Sequence, residues 1–136
     1  MIAKPGVYRE AIGGDDRDLL LRNGEIERFE IQYSPFGIYE LWDQLFGRGS
    51  PPQVRHVRDL VALGLIGGGM SDRAADDLIT SLGPDQNMAL RATAQRLLGV
   101  TFIPAMLKKK EVGSRKKKRP AQSNTIPPEK SETSVE

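Results

Sequence analysis

The chain has no cysteine and a single histidine. Within these residues, disulfides, thiolate nucleophiles and cysteine-ligated zinc or iron–sulfur sites are excluded, and one imidazole cannot supply a multi-histidine metal site. No stretch approaches the roughly 18 apolar residues that a membrane span requires. The opening MIAKPGVYRE lacks the apolar core of a signal peptide, so a cytosolic protein with no membrane partner is expected. Aromatic residues are scarce at 6%, and none is interleaved with the lysine runs to offer a base-stacking platform. These shortages remove much of enzyme chemistry: no catalytic residue, no cofactor and no metal ligand is expected, and an enzyme is the least expected class.

What is present fits one hydrophobic core, because 136 residues lie within the usual size of a single domain. The net charge of +2 hides a division at Pro104. Residues 1–104 carry 11 basic and 14 acidic side chains, a net of −3, whereas residues 105–136 carry nine and four, a net of +5. The basic character therefore belongs to the C-terminal segment. That segment is rich in Lys, Arg, Ser, Pro and Glu, with few apolar residues to offset its ordering entropy, so disorder is expected after about Lys110. The organisation read from these shifts is an extended arm over 1–16, a folded domain over 17–104 and a disordered basic tail over 105–136.

Within the folded domain, Asn23-Gly24 stands between two strand-like runs, a strong hairpin signal. A three-residue loop, Arg22 to Gly24, would place Leu19, Leu21, Phe29 and Ile31 on one face, with Gly24 as the left-handed residue. Such a hairpin is marginal alone and needs helices against its apolar face. About four follow. Ser34 and Pro35 open the first, with Ile38, Leu41, Trp42, Leu45 and Phe46 at helical spacing up to Gly47. Ser50 with Pro51-Pro52 opens the second, with Val54, Val57, Leu60, Val61 and Leu65 inward, and Gly67, Gly68 and Gly69 break it. Ser71 caps the third, through Ala74, Ala75, Leu78, Ile79 and Leu82, and Asp72 suits its dipole. Asp85 caps the fourth, through Met88, Leu90, Ala94, Leu97 and Leu98 to Gly99, before the apolar run Val100 to Ile103. The expected fold is α+β: an N-terminal β-hairpin packed on a mainly helical domain.

Several constellations invite chemistry. Gly64 to Ser71 looks like a phosphate-binding loop, but Met70 stands where the essential lysine belongs, so a tight corner between helices is the better reading. Glu40 with Asp43, Asp15-Asp16 and Asp76-Asp77 lack any surrounding ligand or nucleophile cluster and read as solvated surface. His56 reads as an ordinary surface or boundary residue. Lys108, Lys109 and Lys110, with Arg115, Lys116, Lys117, Lys118 and Arg119, form a basic cluster through which alone nucleic acid would bind. Among Phe36, Tyr39, Trp42 and Phe46, core packing is expected for most, with Phe36 or Tyr39 facing outward.

The strand pair, a helix opening SPFGIYELWDQLFG, a second ending GLIGGGMS and a third of the form DRAADDLI follow an order that resembles the tail assembly chaperones of bacteriophages and gene transfer agents, some of whose members are described as tail tube proteins. The resemblance spans Asp18 to Leu98; the arm and the tail lie outside it. It implies a bacterial cytoplasmic protein without catalytic residues, absent from the finished particle. That protein binds the tape measure protein transiently while tail tube subunits polymerise around it, with those subunits as further partners and homo-oligomers compatible. An apolar groove formed by Ile38, Trp42, Leu65, Ile66 and Met70 would cover part of an amphipathic helix. Two rivals stand: a structural tail subunit, and a small nucleic-acid-binding regulator using helices two and three with the basic tail.

Overall fold

A computed structural model describes residues 7–106. The basic cluster Lys108 to Arg119, the first six residues and the expected disorder after Lys110 lie outside them. The fold is α+β, with an N-terminal hairpin followed by five helices among the described residues.

The hairpin, however, is formed earlier than expected. Strand β1 (Tyr8–Ile12) pairs antiparallel with β2 (Asp15–Leu19), Tyr8 opposite Leu19 and Ile12 opposite Asp15. The two-residue turn is Gly13-Gly14, with φ of 66° and 94°. Positive φ at both central residues is what a tight turn matching strand twist demands, and Gly-Gly meets it without steric cost. The expected boundary between arm and domain at 16/17 therefore falls inside β2, and the arm supplies β1, the turn and the start of β2. Tyr8, Ile12 and Leu19 are buried, giving the ribbon one apolar face.

Asn23 and Gly24 are not a turn. They are the first two residues of helix α1 (Asn23–Tyr33). The Glu25 carboxylate accepts the Arg22 backbone N–H at 2.8 Å and the Arg22 guanidinium at 2.6 Å, satisfying a free donor at the helix start. Ile26, Phe29 and Tyr33 then repeat at helical spacing. Phe29 is fully buried while Ile31 is 77% exposed, which a strand placing both on one face forbids. Leu19 and Leu21 are buried as the alternation requires, but Leu19 pairs with Tyr8 of β1 and not with a strand after Gly24.

Helix α2 (Ile38–Leu45) starts later than Ser34. The Ser34-Pro35 bond is cis, and carboxylates replace the expected serine cap: Glu40 accepts the Gly37 N–H at 2.8 Å and Glu30 the Ile38 N–H at 2.9 Å. Helix α3 (Val54–Gly67) also starts after its expected Ser50. It is the central element, packing against α1, β2, α4 (Asp72–Ser81) and α5 (Asn87–Phe102). Ser71 caps α4 as expected, accepting the Ala74 N–H at 3.1 Å. Asp85 lies in a short 3-10 turn (Pro84–Gln86) ahead of α5. Gly99 does not end α5; it is buried within it, and Val100 to Phe102 are its last turn.

Two polar devices join these pieces. The Arg58 guanidinium on α3 donates to the Ile79 carbonyl, to the Leu82 carbonyl at 3.0 Å and to Asn87 Oδ1 at 2.8 Å, a cation on the carbonyls of the α4 terminus. Arg96 on α5 donates to the Tyr8 hydroxyl at 2.6 Å and to Glu10 at 3.1 Å, and Tyr8 donates to Glu10. Burial, with the neighbouring Glu10, pushes the Tyr8 hydroxyl up to about 12. Among the described residues no helix is long and apolar enough to cross a membrane.

Candidate protein-binding face

The glycine corner is a packing device. A Cβ on Gly67 would lie 1.8 Å from the Leu20 carbonyl oxygen, and one on Gly68 would lie 2.0 Å from that of Asp18. The Leu20 N–H in turn donates to the Gly64 carbonyl at 2.9 Å. The missing side chains let the β2–α1 connection lie directly on the end of α3. Gly69, at φ 123°, closes the helix: its N–H reaches the Ile66 carbonyl and the Met70 N–H reaches that of Leu65, both at 3.0 Å, a Schellman-type termination. Because the N–H groups of Gly68, Gly69 and Met70 are spent inside the helix end, they do not form an anion cradle.

His56 is not a surface residue. It is 4% exposed, stacked on Phe36 at 4.4 Å and edge-on to Tyr33 at 4.5 Å and Phe29 at 5.9 Å. Its Nδ1 is buried without a hydrogen-bond partner among the described residues. Burial, reinforced by the Arg55 charge and opposed by Asp59, lowers its proton affinity, so the ring serves as a neutral aromatic member of the core. Tyr33 donates to Asp59; burial, then this carboxylate, pushes its hydroxyl up to about 12. Among the described residues no group of acidic, His or Cys side chains could hold a metal ion.

The five residues expected to line a groove fall into two groups. Ile38 and Leu65 are buried, at 3% and 0% exposure, while Trp42, Ile66 and Met70 are half-buried. Trp42 belongs to α2, which packs on α1 and α5; Leu65, Ile66 and Met70 close α3 beside the β2–α1 connection.

A different face is left uncovered by the described residues. On α2, Ile38, Leu41 and Leu45 turn inward, while Tyr39, Trp42 and the capping residue Phe46 follow one another along the adjoining edge. Trp42 lies against Phe46 at 4.3 Å and against Phe102 of α5 at 5.6 Å, and Tyr39 stacks on Phe102 at 5.6 Å. Tyr39 is 73% and Ile103 45% exposed; Trp42, Phe46 and Phe102 are half-buried. Half of the chain's eight aromatic residues thus form one connected cluster that the described residues leave partly open. Phe102 and Ile103 were legible only as an apolar run after Gly99; their role depends on α5 continuing through that glycine.

No family model matches the chain, and no curated protein or solved structure matches it either.

Proposed function

We propose that this protein is a tail assembly chaperone of the phage and gene-transfer-agent type, holding a helical segment of the tape measure protein until the tail tube encloses it. The observation that carries the reading is the open aromatic cluster Tyr39, Trp42, Phe46 and Phe102, joined at 4.3–5.6 Å. Monomeric soluble proteins rarely leave contiguous apolar surface uncovered unless it binds something, and an amphipathic helix exposed before assembly needs such cover. Aromatic side chains ordered by their neighbours are also favoured anchors at interfaces.

A regulator reading DNA through α3 and α4 fits poorly. The helix after the corner exposes Asp72, Asp76 and Asp77, with Arg73 at 3.8 Å from Asp77 and Arg28 at 2.9 Å from Asp72. Such a face repels phosphates. The test is co-expression with a candidate tape measure protein, a long helical chain from the same genome. The wild-type chain is expected to co-purify with it and keep it soluble, and a Tyr39→Ala/Trp42→Ala double variant is expected to lose the complex while staying folded. Recovery of the chain in finished particles, or a partner equally soluble alone, would overturn the proposal.

A further inference from the structure

The surface around the aromatic cluster has a sign. Helix α2 contains no basic residue, and Asp43 stands one turn after Tyr39 on its exposed side, with Glu40 beyond it. Glu30 of α1 reaches across to the Ile38 N–H, and an open depression on the same flank of α1 is lined by Glu27, Glu30, Ile31 and Ser34. Ile31 is 77% exposed there. The last turn of α5 carries no basic residue, so its free carbonyls add partial negative charge beside Phe102. Among the described residues, the cations nearest α2 in sequence, Arg28 and Arg48, are paired with Asp72 and Asp43, which leaves Glu27, Glu30 and Glu40 as carboxylates without a cation of their own.

From this we infer that the face receives an amphipathic helix whose apolar stripe is flanked by lysines or arginines. The apolar stripe would lie on Trp42 and Phe102, and its cations would sit between the aromatic faces and the carboxylates of Glu27, Glu30 and Glu40, or compete with Arg48 for Asp43, where ring quadrupoles and charge act together. The inference rests on the protein-binding reading above and adds the chemistry of the bound segment.

The test uses the whole chain and two synthetic 18-residue helices without tryptophan, sharing one leucine stripe, flanked by lysines in one and glutamates in the other. Trp42 is the only tryptophan, so its emission reports this face alone, whereas bulk binding would also register acidic peptides drawn to the cationic C-terminal segment. The leucine–lysine helix is expected to shift Trp42 emission and to bind about tenfold more tightly than the leucine–glutamate helix at low salt, as a few exposed ion pairs allow. The gap should close as salt is raised. Glu27→Lys with Asp43→Lys, neither of which caps a helix, should reverse the preference.

Equal affinity for both helices, no reversal in the double variant, or no Trp42 response to either helix would overturn the inference. So would a Trp42 shift with protein concentration alone, which would assign the face to a second copy. Should the tape measure complex survive Glu27→Lys/Asp43→Lys unchanged but be lost in Tyr39→Ala/Trp42→Ala, the charge inference falls and the chaperone reading stands.

Discussion

Replacing Gly67 and Gly24 with alanine should move stability in opposite directions, although both residues lie in helices. At Gly67 the new Cβ would sit 1.8 Å from the Leu20 carbonyl oxygen and 2.9 Å from its carbon. Carbon and oxygen pack no closer than about 3.3 Å, so the Leu20 peptide would have to retreat by about 1.5 Å. That retreat breaks the Leu20 N–H to Gly64 hydrogen bond, 2.9 Å long, leaving a shielded donor at a cost of about 1–3 kcal/mol. It also loosens Leu19 and Leu21, which are 0% and 5% exposed and are each stabilised by about 1.5–3 kcal/mol through burial. Against this stands the better helix propensity of alanine, at most about 1 kcal/mol. The net expectation is a loss of about 3 kcal/mol, or a Tm lower by about 12–24 °C for a domain of this size. At Gly24 a Cβ meets nothing within 4 Å, and the residue is in the first turn of α1, so alanine should stabilise by up to about 1 kcal/mol. Urea unfolding followed by far-UV circular dichroism measures both. A Gly67→Ala variant within 1 kcal/mol of wild type would refute the close contact, and a destabilised Gly24→Ala variant would return Asn23-Gly24 to a turn.

Arg58→Met should cost about 2–3 kcal/mol, because it strips a charged donor from the α4 carbonyls and from Asn87; an unchanged urea midpoint would show that water replaces it freely. Stability should also depend on pH through His56, whose folded proton affinity lies below its ordinary value. Above the unfolded pKa near 6.5 both states are neutral and the contribution is fully present. As pH falls below it, the unfolded chain gains a proton that the fold excludes, and stability drops toward the folded pKa by at most about 1.4 kcal/mol per pH unit. Urea midpoints between pH 7.5 and 5 should therefore fall, and His56→Phe should flatten that part of the curve; an equal slope in the variant would remove His56 as the cause. Glu10→Gln should loosen the hairpin on α5 by weakening the Arg96 contact, seen as faster amide exchange in β1 with α3 unaffected.

How much of this was legible in the sequence depended on whether the deciding interaction was local. The Ser71 cap, the glycine end of α3 and the helical stripes of α2, α3 and α4 are written in residues a few positions apart. The hairpin was misplaced because two signals compete: Asn23-Gly24 is a strong turn pair, but Glu25 at the third helical position and the Ile26, Phe29, Tyr33 spacing favour a helix, while Gly13-Gly14 had already supplied a turn. His56 could not be read, since its aromatic partners Phe29, Tyr33 and Phe36 come from another helix and a connection. The open aromatic cluster was half legible. Tyr39, Trp42 and Phe46 share an edge of α2 by spacing alone, but Phe102 joins them only because α5 runs on through Gly99.

By itself the sequence determined the class of fold, a small hairpin with helices and a charge division at Pro104, because composition, period and capping act over a few residues. Only the tertiary structure decided which glycine pair turns the ribbon, why Gly64, Gly67 and Gly68 must lack side chains, and which aromatic residues remain uncovered. Those outcomes depend on contacts between elements 40 or more residues apart, such as Leu20 on Gly67 and Trp42 on Phe102. Packing selects among locally reasonable alternatives by burial and close approach, quantities that have no value until the chain has folded.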